Sequence, residues 1–120
     1  MTTITQADLA RFRGTDHYYK HGFGGFNYTD GVKYLADAAQ AYWLIDAIAS
    51  YQPDKRVRGD EMLRHFQIWQ LAVQDHSAVL TLLRDTDQPV LTQEIEHTDF
   101  PLPEVKLFLN EKVLMLPSEY

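Results

Sequence analysis

Between His65 and Leu116 the chain reads as five short runs rich in β-branched, aromatic and leucine residues: "FQIWQLAVQ", "AVLTLLR", "PVLTQEIEH", "EVKLFL" and "KVLML". They are separated only by "DHS", "DTDQ", "TDFPLP" and "NE". A parallel crossover needs about a dozen residues or more, so these connections predict antiparallel strands, with a meander as the default order. In the third run Leu91, Gln93, Ile95 and His97 alternate with Thr92, Glu94 and Glu96, so one side of the sheet is expected to be wet. Asn110-Glu111 suits the last hairpin turn, although Asn-Gly is the stronger signal.

Residues 1–64 read as helical or irregular. Thr5 can cap a short helix reaching Phe12, with Ile4, Leu9 and Phe12 on its apolar side. In "YTDGVKYLADAAQAYWLIDAIASYQP", Thr29 or Asp30 can cap and Pro53 ends whatever precedes it. At about 100° per residue, Val32, Ala36, Ala39 and Trp43 fall within about 40° of one another, whereas Ala41, Leu44, Ile45 and Ile48 centre on nearly the opposite side. One stripe does not run the full length, so a break near Gln40 into two helices is predicted. The expected fold is α+β, a single domain over residues 1–120 with N-terminal helices on one face of a C-terminal antiparallel sheet of about five strands (residues 65–117). A chain of 120 residues hides roughly two thirds of its unfolded surface in one core, so no disulfide or structural metal is required.

The net charge of -6 is unevenly spread. Residues 1–74 hold eight acidic and eight basic side chains, while residues 75–120 hold nine acidic ones against Arg84, Lys106 and Lys112. That excess repels a phosphate backbone and disfavours direct nucleic-acid binding. The one basic patch is "KRVR", Lys55 to Arg58, with Arg64 nearby; after Pro53 it reads as a solvated loop. No cysteine is present, which fits a reducing cytoplasm. The N-terminal stretch has Asp8, Arg11 and Arg13 where a secretory signal needs continuous apolar residues, and "AYWLI" is the longest apolar run, far short of the ~20 residues of a membrane span. A soluble chain with no membrane partner is expected.

"TDHYYKHGFGG" sets His17 and His21 four apart. On a helix the two could share a metal, ~6 Å apart along the axis; on a strand they face the same side but ~13 Å apart, too far for one ion. Tyr18 and Tyr19 favour extended backbone and the glycines stop a helix, so the segment is expected to be a strand or hairpin arm with structural histidines and no metal. "HGFGGF" matches neither phosphate-binding glycine pattern, and Asp30 would compete with an anion for the following helix start, so a turn between Phe23 and Phe26 is expected. Ser50, Ser77 and Ser118 lie in no nucleophile elbow, although Ser77 follows His76. Asp46, inside "YWLIDAI", is the best candidate for acid-base chemistry, and its blander role is a structural hydrogen bond. No catalytic residue, cofactor or metal is assigned. His17, His21, Asp30, Trp43 and Asp46 remain as a candidate ligand-binding group, with Trp43 as a pocket floor.

"GTDHYYKH", "YTDGVKYLADAAQAYWLIDAIASYQ" and "VLMLPSEY" resemble a family of small proteins of unknown function found chiefly in cyanobacteria and their mobile elements, and the likeness spans Gly14 to Tyr120. The resemblance implies a bacterial, soluble, single-domain protein and no particular activity. The leading expectation is a non-enzymatic interaction or regulatory module whose acidic, strand-rich third meets an unidentified protein partner or a second copy of the chain. The alternative is a small enzyme or ligand-binding protein built on the His/Asp/aromatic group, which requires those five residues to converge.

Overall fold

The computed structural model describes residues 4–23 and 25–120. The helices are α1 (Gln6–Ala10), α2 (Asp30–Ala39), α3 (Tyr42–Ser50), α4 (Lys55–Arg58) and α5 (Glu61–His65). The strands are β1 (Tyr18–Lys20), β2 (Asn27–Thr29), β3 (Phe66–Gln74), β4 (Ser77–Arg84), β5 (Gln88–Ile95), β6 (Glu104–Asn110) and β7 (Val113–Met115), followed by a 3-10 turn at Pro117–Glu119. The fold is α+β, and all five runs read from the sequence are strands.

Local chemistry sets the helix boundaries. Thr5 accepts from the Asp8 N–H while the Asp8 carboxylate accepts from the Thr5 N–H, a reciprocal cap that starts α1. Thr29, not Asp30, caps α2, accepting from the Val32 N–H. The break expected near Gln40 is present: Gln40 takes φ 52°, ψ 47°, a left-handed conformation that ends α2 and lets α3 leave in a new direction. "KRVR" corrects the loop reading. Asp54 caps the turn by accepting from the Arg56 N–H, and these four residues form the short helix α4.

The sheet has seven strands in the order β1-β2-β7-β6-β3-β4-β5, which corrects both the strand count and the meander. β3, β4 and β5 follow one another as hairpins, but β6 returns to the far side of β3, giving the four-strand order of a Greek key. The connection after β5 shows how. Thr98 donates its N–H to the His76 carbonyl at the β3–β4 turn, Phe100 and Leu102 bury, and the Pro103 carbonyl accepts from the Val73 N–H on β3. This path carries the chain across the end of the sheet. The N-terminal residues then add two strands: β1 and β2 form an antiparallel hairpin, and β2 lies parallel to β7, so the sheet is mixed.

Two-residue alternation sorts the strand residues into two layers. Trp69, Leu71, Leu80, Leu82, Leu107 and Leu114 are at most 1% exposed and meet Leu35, Leu44, Ile48 and Leu63 of the helices in the main core. The opposite face carries Phe66, Ile68, Leu83 and Phe108 amid exposed Ala72, Val79, Thr92, Glu94, Glu104 and Lys106. The wet side expected from Thr92, Glu94 and Glu96 is therefore observed. The β6–β7 turn runs through Glu111 and Lys112, both at positive φ (47° and 65°), one residue beyond the expected Asn110-Glu111. Left-handed backbone at both positions suits the twist of a two-residue hairpin.

Candidate functional site

His17 and His21 flank the extended β1, as expected, and each faces a different carboxylate. His17 is exposed, with Nδ1 3.6 Å from Asp30 Oδ1. The buried His21 has Nε2 2.8 Å from Asp46 Oδ1. Trp43 lies in a third place, edge-on to Phe100 at 6.5 Å, in a groove of about 420 Å³ shared with Gln40, His97 and Asp99. The five sequence candidates thus distribute over three locations.

The Asp30 site joins residues 15–19, the start of α2 and the 3-10 turn at Pro117–Glu119 through a cluster of hydrogen bonds. The Asp30 carboxylate accepts from the N–H groups of Asp16 and His17 at 3.0 and 3.3 Å and from the Tyr19 hydroxyl at 3.0 Å. Its own N–H donates to Thr15 Oγ1. Burial pushes the Asp30 carboxyl up, but the hydrogen bonds from Asp16, Tyr19 and His17 outweigh it and hold the group below the usual carboxylate range. The same contact, read from the phenol, raises Tyr19. One residue further, the Glu119 carboxylate accepts from the Thr29 hydroxyl at 2.6 Å, the Leu116 N–H at 3.0 Å and the Gly31 N–H at 3.3 Å. A Cβ on Gly31 would fall 2.5 Å from Glu119 Oε1 and 2.7 Å from Leu116 Cδ1, so glycine is what lets "PSEY" dock on α2.

At the second site His21 stacks on Phe26 at 5.4 Å and meets the edge of Phe23 at 4.5 Å. Its Nδ1 accepts from the Phe23 N–H at 3.3 Å, and the tautomer that satisfies both contacts carries its proton on Nε2 toward Asp46. With both ring nitrogens engaged, the imidazole ties the glycine turn to α3. The turn expected between Phe23 and Phe26 includes Gly24, which lies outside the described residues. The serines are occupied as donors to backbone carbonyls: Ser50 to Ala47, Ser77 to Gln74 and Ser118 to Leu9. Among the described residues, no group of three or more His, Asp or Glu side chains is arranged to hold a metal ion.

A model of one protein family matches residues 3–120. The chain belongs to that family, DUF6876, a family of unknown function. No curated protein and no solved structure matches it. Among the described residues, no helix is long and apolar enough to cross a membrane.

Two polar arrangements escaped the sequence reading. One is the Glu119 contact with α2, which joins residues 88 to 90 positions apart and leaves no local trace. The other is the buried amide pair Gln52–Gln67. Gln67 is 2% exposed, donates to Gln52 Oε1 and to the Leu63 carbonyl, and accepts from Trp69 Nε1 at 2.8 Å. The alternation of "FQIWQLAVQ" does contain that signal, because Gln67 shares the parity of Trp69 and Leu71.

Proposed function

We propose that this chain is a non-enzymatic interaction module that pairs with a second copy of itself through the helix-free face of its sheet. The observation that carries the reading is an aromatic cluster on that face: Phe66, Phe108 and Tyr120 lie 5.3 to 5.5 Å from one another, with Tyr120 71% exposed. Val79 adds a side chain 39% exposed on the same side. An open sheet face is ordinarily polar, and aromatic residues are enriched where surfaces dock. A second copy suits the charge pattern, because Glu94 and Glu104 share the face with Lys106 and a two-fold axis can set opposite signs against each other. The edge is the poorer docking site: β5 carries Pro89 and faces an irregular register at Leu82/Leu83, devices that blunt strand addition.

A reducing bacterial cytoplasm is the setting that goes with this reading, supported by the cysteine-free composition. The alternative, an enzyme or ligand-binding protein using His17, His21, Asp30, Trp43 and Asp46, draws support only from the close His21–Asp46 pair. Native mass measurement across a concentration series tests the proposal. A concentration-dependent dimer is expected, abolished by Tyr120→Asp and weakened by Val79→Glu while both variants stay folded by circular dichroism. A wild-type chain that remains monomeric at millimolar concentration, or a dimer indifferent to both substitutions, overturns it.

A further inference from the structure

Arg58 at the end of α4, Arg64 in α5 and Lys112 in the β6–β7 turn come from three separate elements and line one cavity of about 300 Å³. Its inner surface includes Phe26, Val57, Leu109 and Gln67, each at most 5% exposed. No carboxylate lines it, in a chain with 17 acidic against 11 basic side chains. The acidic residues adjacent in sequence are engaged elsewhere: Asp54 with Arg56 at 2.9 Å, Asp60 with Arg84 at 2.9 Å and Glu111 with His65 at 3.1 Å. Glu61 lines a separate groove. Among the described residues, Arg58, Arg64 and Lys112 therefore make no ion pair, and their charges add at the rim.

The polar floor is already satisfied. Gln52 Nε2 donates to the Ile48 carbonyl and to Gln67 Oε1, and Gln67 returns the bond to Gln52 Oε1. Recognition thus falls to the three cations and to the apolar wall beneath them. Two guanidinium forks and an ammonium match the oxygens of a phosphate dianion. An apolar wall is of no use to inorganic phosphate but accommodates an organic group attached to it, and the volume lies at the small end of ligand sites.

We infer that this cavity binds a small phosphorylated organic molecule, its phosphomonoester held by Arg58, Arg64 and Lys112 and its organic part resting on Phe26, Val57 and Leu109. A nucleic-acid strand is the poorer occupant, because the acidic remainder of the surface repels a continuing phosphate backbone. Calorimetry and amide NMR on the full chain, with AMP as the probe beside inorganic phosphate and a short single-stranded DNA, test the inference. AMP is expected to bind saturably, more weakly as salt is added, more tightly than inorganic phosphate, and with shifts at Gly25 and Gln52. Arg58→Gln, Arg64→Gln and Lys112→Asn should each weaken AMP at least tenfold, while Arg13→Gln, outside the cavity lining, leaves it unchanged. Asparagine tolerates the left-handed backbone at residue 112, which keeps that variant foldable. Absence of saturable AMP binding, wild-type affinity in the cavity variants, equal affinity for inorganic phosphate, or tighter binding of the oligonucleotide each overturns the assignment.

Discussion

The same five long and short strands, β3 to β7, present two unlike faces. Toward the helices, Leu80, Leu82, Leu107 and Leu114 are at most 1% exposed; away from them, Val79 is 39% exposed beside Thr92 and Glu94. Neighbouring residues in one strand thus do different work: Leu80 and Leu82 hold the fold together, and Val79 and Thr81 leave a surface free for contact. Stability and the proposed association should therefore be separable by substitutions one position apart.

The largest expected effect is on the closed face. Leu82→Ala removes a side chain with 0% exposure and should lower unfolding free energy by about 2–5 kcal/mol in urea melts. Val79→Ala, three residues away on the open face, should cost under ~1 kcal/mol. Equal losses at the two positions would erase the contrast. Next comes a buried amide on the closed face: Gln67→Ala strips the partners of Trp69 Nε1 and Gln52 and should cost about 1–3 kcal/mol, with a change in tryptophan fluorescence.

Acidification sharpens the comparison by loading the helical layer alone. The Arg56 guanidinium and backbone N–H hold the Asp54 carboxyl at about 2, below its ordinary 3.8. A carboxyl depressed by folding adds stability above its unfolded value and loses it as pH falls toward the folded one, so this contribution is present above about 3.8 and disappears as pH falls through about 2. Asp30, also held low, adds to the same acid limb. Asp54→Asn and Asp30→Asn should each flatten the dependence of melting temperature on pH in that window. The smallest effect belongs to the exposed Lys33–Asp37 pair at 2.7 Å, where Lys33→Ala should leave the urea midpoint almost unchanged.

What the sequence made legible was local. The five strands, the break at Gln40, the Thr5 cap and the extended "HYYKH" all follow from patterns within a few residues of where they act. Strand order did not, because it depends on where a connection lands. "TDFPLP" is too long and proline-rich for a tight hairpin, and Phe100 and Leu102 drop into the core on the way to β3. β1 and β2 are three residues each, and β2 joins the sheet through β7, more than eighty positions downstream, so periodicity could not reveal the parallel contact. At the candidate sites, the sequence offered no way to see which residues come together. His21 with Asp46 and His17 with Asp30 are pairs that sequence distance separates by 25 and 13 positions. The basic run at residues 55–58 was visible, whereas Lys112, which joins Arg58 and Arg64 from a hairpin in the acidic third, was not.

The parallel seam between β2 and β7, locked by Glu119 on the start of α2, ties the first third of the fold to contacts more than eighty residues away in sequence. Closing so long a loop costs more chain entropy than closing the β3–β4 or β4–β5 hairpin, so amide exchange in β1, β2 and the first turn of α2 should gain protection after those hairpins do.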